Sequence, residues 1–320
     1  MAERTGQPAV DSKRVRVAIA QSAPVYLDKR ASLAKALDLI QQATRRDAQL
    51  VAFGETWLPG YPAWLDVCPG AALWANASAK EVFAKLRNHS VTVPGEEVHA
   101  LREVARDLKI VIVIGASERV DAGPGNGTLY NSLLIISEDG QLRNHHRKLV
   151  PTYTERLVWG NGDGRGLEAV STSVGRIGGL ICWEHWMPLA RMAMHNSGEH
   201  IHVAVWPTVN DLHQLASRHY AFEGRCFVLA VGLMMPAADV PQELPRGVPL
   251  SLGDDQWVER GGSAIIGPDS HYLVQPVFNR EELIVADLDF KQIDREAMTL
   301  DVSGHYARPD LFRFEKKEWA

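Results

Sequence analysis

The sequence predicts an α/β protein built on mixed sheets, and three observations carry that reading. Short β-branched runs alternate with stretches of helical periodicity along most of the chain. The turn signature Glu138-Asp139-Gly140 separates two strand-like runs and so marks an antiparallel hairpin. Two late apolar runs, 262–266 and 283–288, close the pattern as further strands.

Taken in order, residues 14–21 alternate Val15, Val17 and Ile19 with polar or small residues and read as a strand. Residues 32–45 follow, with Leu33, Leu37, Ile40 and Thr44 at helical spacing and Ser32 expected as N-cap. The short apolar run 50–53 ends at Gly54-Glu55, which puts a carboxylate just past a strand's C-terminal end. Residues 97–108 carry Val98, Leu101, Ala105 and Leu108 on one helical face. The continuous β-branched run 110–114 fits a strand buried on both faces. Residues 131–137 and 142–148 flank the turn as a hairpin. The Gly-, Pro- and polar-rich stretch 150–166 reads as a long loop with one helical turn at 154–158. A Gly-containing strand, 174–181, runs straight into Cys182; helix 189–196, strand 201–206, helix 212–225 and strand 227–233 follow. Residues 236–259 hold four prolines and read as an excursion or interface loop. With no internal repeat or dividing linker, 14–302 is expected to be one domain. Residues 1–13 are then a loose tail, and 303–320, aromatic and basic, a segment that packs on a neighbour.

Composition narrows the function classes. The chain has 320 residues, 46% of them hydrophobic and 23% charged, enough to bury a sizeable core. Thirty-four Lys and Arg against thirty-nine Asp and Glu leave −5, and the pI is near 6.2, which argues against a general nucleic-acid binder. No apolar run reaches the roughly 18 residues needed to span a bilayer. The first thirteen residues lack an apolar h-region, and the three cysteines are too few for a disulfide framework, so a cytoplasmic setting is expected.

The weaker motifs fall away. No Gly-x-Gly-x-x-Gly fingerprint, Walker A loop or Gly-x-Ser-x-Gly elbow is present. Gly160, Gly162, Gly164 and Gly166 lack the flanking strand and helix that would aim amides at a phosphate. The twelve histidines include no His-Glu-x-x-His. His200 and His202 read as one strand face rather than a metal pair, and His145 and His146 point to opposite faces, one of them toward any chemistry nearby.

What remains is a set of reactive groups at three strand ends: Glu55, Lys148 and Cys182. Each alone would be an ordinary charge or an inert small thiol. Together they stand in long ordered blocks: FGETWLPGYP at 53–62, RKLVPTYTERLVWGNGDG at 147–164, GLICWEHWMPL at 179–189 and DVSGHYARPD at 301–310. In these blocks the chain resembles the nitrilase superfamily of carbon–nitrogen hydrolases over about residues 15–314. The Cys-Trp-Glu-His segment, the WGxGDG loop and the SGHYxRPD tail resemble the nitrilase branch, whereas aliphatic amidases and carbamoylases usually place Arg-Asp or similar after the cysteine. One departure is Gly54, where the family commonly has proline.

The resemblance implies a four-layer α-β-β-α sandwich and a Glu-Lys-Cys triad. Glu55 would be the general base, Cys182 the nucleophile, and Lys148, with the Trp183 backbone N–H, the stabiliser of developing negative charge. Glu155 matches a second family glutamate, expected to position Lys148 or water. Tyr61, Trp183, Trp186 and Trp206 are the candidates for aromatic contact with substrate. Glu184 and His185 are expected to be structural, and Cys68 and Cys226 ordinary thiols. The implied reaction converts an organic nitrile to acid and ammonia without cofactor or metal. An amidase or amide-releasing enzyme is the alternative, since the tetrahedral intermediate can lose either ammonia or the thiol. A filament or scaffold protein with a vestigial site is the reading outside enzymes. Family members pair into dimers and often grow into spiral filaments; segments 236–249 and 306–319 are the expected contacts.

Overall fold

Alternation along the first strand sets the layering of the protein. On β1 (Arg14–Gln21), Val15, Val17 and Ile19 enter one apolar cluster, while Ala18 and Ala20 enter another on the opposite face. The computed structural model describes residues 14–245 and 256–317. After β1 come α1 (Lys29–Thr44), β2 (Leu50–Ala52), α2 (Trp64–Val67), α3 (Ala77–His89) and α4 (Glu96–Leu108). Strands β3 (Val111–Arg119), β4 (Leu129–Ile136), β5 (Leu142–Arg147), β6 (Val170–Thr172) and β7 (Gly175–Ile181) lead to α5 (Pro188–Asn196). Then follow β8 (Ile201–Trp206), α6 (Asp211–Gly224), β9 (Phe227–Gly232), β10 (Met234–Pro236), β11 (Trp257–Ile266), β12 (Tyr272–Phe278), β13 (Glu282–Asp289) and α7 (Lys291–Ala297).

One sheet has the order β13-β1-β2-β3-β4-β5, the other β10-β11-β9-β8-β7-β6 with β12 on β11. Each holds a parallel trio, β1-β2-β3 and β7-β8-β9, whose strands are apolar on both faces because both faces are covered. Val17, Leu50, Val111 and Leu133 of the first sheet meet Ile177, Ile181, Val203 and Leu229 of the second in a shared core. Ile112 and Ile114 face outward onto Ile40 of α1, Val82 and Leu86 of α3, and Leu101 of α4. Beyond the second sheet, α5 and α6 bring Met194, Ala216 and Tyr220 to the same core. The result is the α-β-β-α sandwich.

The hairpin β4–β5 is antiparallel, and β1, β8 and the helical turn (a 3-10 turn over Tyr153–Leu157) stand close to where the sequence placed them. Other elements moved for local reasons. Helix α1 begins at Lys29 because Asp28 is the cap, accepting the Arg30 and Ala31 N–H groups at 3.1 and 3.0 Å. Ser32 lies inside the helix and donates to Val25 O. Helix α3 carries no strong apolar face, only Ala79, Val82 and Leu86 buried, and escaped the periodicity argument; Asn76 caps it. Strand β3 runs on to Arg119 because β4 pairs it along its length. Strand β11 begins at Trp257, inside the stretch read as a loop; the 246–255 part of that loop and the tail 1–13 lie outside the described residues. The C-terminal segment is mostly exposed, although Phe314 packs against the inter-sheet core and Lys316 Nζ reaches Leu167 O at 3.3 Å. Among the described residues no helix is long and apolar enough to cross a membrane.

Candidate active site

Three C-terminal strand ends converge. Glu55 follows β2, Lys148 follows β5 and Cys182 follows β7, and all three are buried. Glu155 arrives from the 3-10 turn after β5, where Thr152 N–H donates to its Oε2 at 2.7 Å. Lys148 Nζ donates to Glu155 at 2.7 and 2.9 Å and to Glu55 Oε1 at 3.1 Å. Asn131 Nδ2 donates to the same Glu55 oxygen at 2.7 Å, and Tyr61 OH donates to Glu155 Oε1 at 2.8 Å. A carboxylate oxygen of each glutamate and Cys182 Sγ all lie within 4.8 Å of one another. Glu55 Oε2 is buried with no hydrogen-bond partner. Acid, amine and thiol therefore share one enclosed space, with a free acceptor in it. These ligand types could hold a cation; the one they surround is the Lys148 ammonium.

The backbone is bent to achieve this. Cys182, Thr56 beside Glu55, and Tyr153 beside the Glu155 turn all have positive φ, at 55°, 44° and 45°. Non-glycine residues rarely occupy that region, and such strain collects at functional sites. Gly115 on β3 explains how close the Glu55 segment comes to the sheet: a Cβ there would lie 2.4 Å from Gly54 O and 2.5 Å from Thr56 N. Gly162 does the same behind Lys148, where a Cβ would lie 2.1 Å from Arg147 O.

Electrostatics follow from burial. Desolvation lifts Glu55 to about 7 and Glu155 adds to it, although Lys148 and Asn131 pull the other way. Burial also opposes charge on Lys148, but Cys182, Glu55 and Glu155 outweigh it and hold the amine protonated. Burial and the Glu55 charge push the Cys182 thiol up, against Lys148 and the Trp183 backbone N–H. The resting site thus keeps a neutral thiol beside a carboxyl that titrates near neutrality.

Of the aromatic candidates, Tyr61 joins the acid cluster through its hydroxyl. Trp183 and Trp186 flank the nucleophile on the 3-10 turn Cys182–Trp186 and are 48% and 39% exposed. Trp206, expected on a pocket wall, is instead enclosed in the core: its ring stacks on His185 and His213 and its indole N–H donates to Ser217 Oγ. Glu184 is structural, as its neighbours show. It accepts from Ile181 N at 2.7 Å and Leu149 N at 2.8 Å and pairs with His146 Nε2 at 2.9 Å, tying the Cys182 strand end to the Lys148 strand end. His146 is thereby the inward-facing member of the histidine pair, while half-buried His145 pairs with Glu118.

Asn131 was missed from sequence, although the hairpin register could have found it. Ser132 pairs with Arg147, so Asn131 lies opposite Lys148. The hydrogen bond from His185 Nδ1 to Cys182 O, 2.7 Å, had no sequence signal beyond the i+3 spacing.

Comparison with known proteins agrees with this geometry. The sequence profile described as carbon-nitrogen hydrolase matches residues 16–296. "Nitrilase 2" from an unknown prokaryotic organism is 40% identical over 303 residues, spanning 94% of this chain and 92% of that protein. A "bifunctional nitrilase/nitrile hydratase NIT4B" from Lupinus angustifolius is 36% identical, spanning 96% of this chain and 87% of the relative. The crystal structure of Saccharomyces cerevisiae Nit3, described as a branch 10 member of the nitrilase superfamily, aligns with a TM-score of 0.68. It is 22% identical and covers 92% of this chain and 96% of its own. With a profile match over most of its length and relatives of this identity, the chain belongs to the carbon–nitrogen hydrolase family.

Proposed function

We propose that this protein is a nitrilase that hydrolyses an organic nitrile to a carboxylic acid and ammonia through a covalent Cys182 intermediate. The observation that carries the proposal is the unpartnered Glu55 Oε2 in the buried cluster that Glu55 and Glu155 form with Cys182 Sγ. A nitrile carbon is a weak electrophile and calls for a soft, strong nucleophile, which a thiolate supplies. Glu55 Oε2 takes the thiol proton as Sγ attacks the carbon and passes it to the nitrile nitrogen, giving a thioimidate and an ionised Glu55. Water then adds, both of its protons passing by way of Glu55 to the nitrogen in turn, and ammonia leaves as the carbonyl of a thioester forms. A second water releases the acid and returns the thiol. A base with a pKa of about 7 suits both water steps near neutral pH. Lys148 faces the charge that develops on the substrate, as does the Trp183 backbone N–H, and loss of such a donor typically costs about 3 kcal/mol of barrier. Glu155, held by Tyr61 and Thr152, fixes the Lys148 ammonium. Tyr61, Trp183 and Trp186 supply the aromatic surface near the substrate.

Amide release is the second reading. It follows if the tetrahedral species expels the thiol instead of ammonia, and the bifunctional name of the Lupinus angustifolius relative favours testing it. We also propose a cytoplasmic homodimer that extends to a larger oligomer or filament, supported by exposed Leu189, Leu212, Leu215 and Phe222 on α5 and α6 and by exposed Tyr306 and Phe312. A panel of aryl, arylaliphatic and aliphatic nitriles, read by ammonia release and by the acid-to-amide mass ratio, tests the activity. Iodoacetamide should label Cys182 with matching loss of turnover. Full nitrile turnover by Cys182→Ala would overturn the assignment of the nucleophile.

A further inference from the structure

Behind the nucleophile runs a line of buried polar side chains that the reaction above does not use. His185 Nδ1 lies 2.7 Å from Cys182 O, His185 Nε2 lies 2.9 Å from His202 Nε2, and His202 Nδ1 lies 2.7 Å from Glu199 Oε1. Tyr220 donates its hydroxyl proton to Glu199 Oε2. All four side chains are buried, and the His202 ring stacks on Tyr220 at 3.8 Å. We propose that His185, His202 and Glu199 share one proton and act as a positioning chain for the strained Cys182 turn, complete only while that proton is held.

The direction of each hydrogen bond follows from its end. A carbonyl oxygen only accepts, so His185 Nδ1 carries hydrogen. With His185 neutral, its Nε2 accepts, and His202 Nε2 must donate. With His202 neutral, its Nδ1 accepts, so Glu199 Oε1 must be protonated. Glu199 then donates through one oxygen and accepts from Tyr220 through the other, as a neutral carboxyl does. Moving the proton to either imidazole gives the same total. No arrangement satisfies all three contacts without it. Once it is lost, the two ring lone pairs face each other at 2.9 Å, or the His202 Nδ1 lone pair faces the Glu199 carboxylate at 2.7 Å, or His185 turns its hydrogen away from Cys182 O.

Burial favours the uncharged arrangement. It lifts Glu199 to about 7, against the Tyr220 hydrogen bond and the charges of His195 on α5 and Arg176 on β7. It drives both imidazoles well down. His202 faces lowering charge from His195 and His146 and the opposite from Glu184. His185 faces His202 and His213 on one side and Glu184 on the other. Glu223, which pairs with Arg191 and His195, is the next charge outward, and Cys226 also faces Glu199. The deprotonation that opens the chain therefore falls near neutral pH, and losing that proton can only lower the rate. Glu55 must be ionised to act and sets the rising limb, so the chain is assigned the falling limb.

The pH part rests on the nitrilase reading; the hydrogen-bond order does not. Nitrogen NMR of the full chain with labelled imidazoles, from pH 6 to 9, reads the order without substrate. His185 should carry its proton on Nδ1 and His202 on Nε2 at pH 6, with a joint change on raising the pH. Glu199→Gln, which keeps a donor for His202 and an acceptor for Tyr220, should hold these tautomers throughout. The same variant should keep kcat within about twofold at neutral pH while its alkaline decline disappears. Glu199→Leu, which cannot donate, should lower kcat about tenfold with KM little changed. A His185 proton on Nε2 at pH 6, or an unaltered alkaline limb in Glu199→Gln, overturns the proposal. Should the wild type turn over no nitrile at all, the nitrilase reading fails and the tautomers alone decide the chain.

Discussion

Gly115→Ala is the most direct test of how the site is built, because it touches none of the reactive side chains. The added methyl would lie 2.4 Å from Gly54 O, 2.5 Å from Thr56 N and 2.9 Å from the carbonyl carbon of Glu55. Ordinary contact between such atoms is about 3.5 Å, so the two segments must part by about 1 Å. Every atom met is main chain, and the Glu55 segment is tied to β3 on both sides, by Phe53 N to Val113 O at 2.8 Å and Leu58 N to Gly115 O at 3.1 Å. No side chain can rotate to absorb the overlap, so Glu55 itself is displaced. A misplacement of about 1 Å costs a positioned catalytic group roughly 100-fold in rate. The overpacking costs about 1–3 kcal/mol of stability. Initial rates of ammonia release at saturating nitrile, alkylation of Cys182 and a thermal melt separate the two effects. The expected variant is folded, melts a few degrees lower, still alkylates at Cys182 and has lost about two orders of magnitude in kcat. A kcat within threefold of wild type would refute the view that backbone contact with β3 places the base.

Lys148→Met leaves Glu55 and Glu155 buried together without their cation. It should abolish turnover and, because a broken buried pair costs about 3–5 kcal/mol, lower the melting temperature clearly at pH 8 and less at pH 5, where the carboxyls can protonate. A variant as stable at pH 8 as the wild type would show that the ammonium is not the partner of both acids. Glu118, away from the site, tests the sign of linkage. Burial works against its charge, but hydrogen bonds from His145 and Arg147 bring it down to about 2. Its stabilisation is therefore complete above the unfolded carboxylate range of about 4 and is lost as pH falls toward 2. Melting curves of the wild type should drop between pH 5 and 2, and Glu118→Gln should start lower and change less; equal slopes would contradict the assignment.

Much of the site was legible because its parts are local. A run such as 50–53 followed by Gly54-Glu55, or 174–181 followed by Cys182, states in one dimension that a reactive group ends a strand. Helix α3 was not legible, since a stripe of only Ala79, Val82 and Leu86 in polar company leaves weak periodicity and is fixed by packing on the outer face of the first sheet. Trp206 shows the same limit at the site. Its neighbours in sequence are strand residues, and whether its ring meets substrate or core depends on His185, His213 and Ser217, which come from other elements.

By itself the sequence determined the alternation of strands and helices over most of the chain, the hairpin and the identity of the three reactive strand ends, because periodicity, turn chemistry and residue type act over a few neighbours. Only the tertiary structure decided that Glu199, His202 and His185 form one line behind Cys182, that Asn131 completes the Glu55 acceptor, and that Gly115 lets the base approach the sheet. Those contacts join different strands, turns and helices, and they exist only once β2, β3 and β4 have paired in register and α6 has covered the outer face of the second sheet.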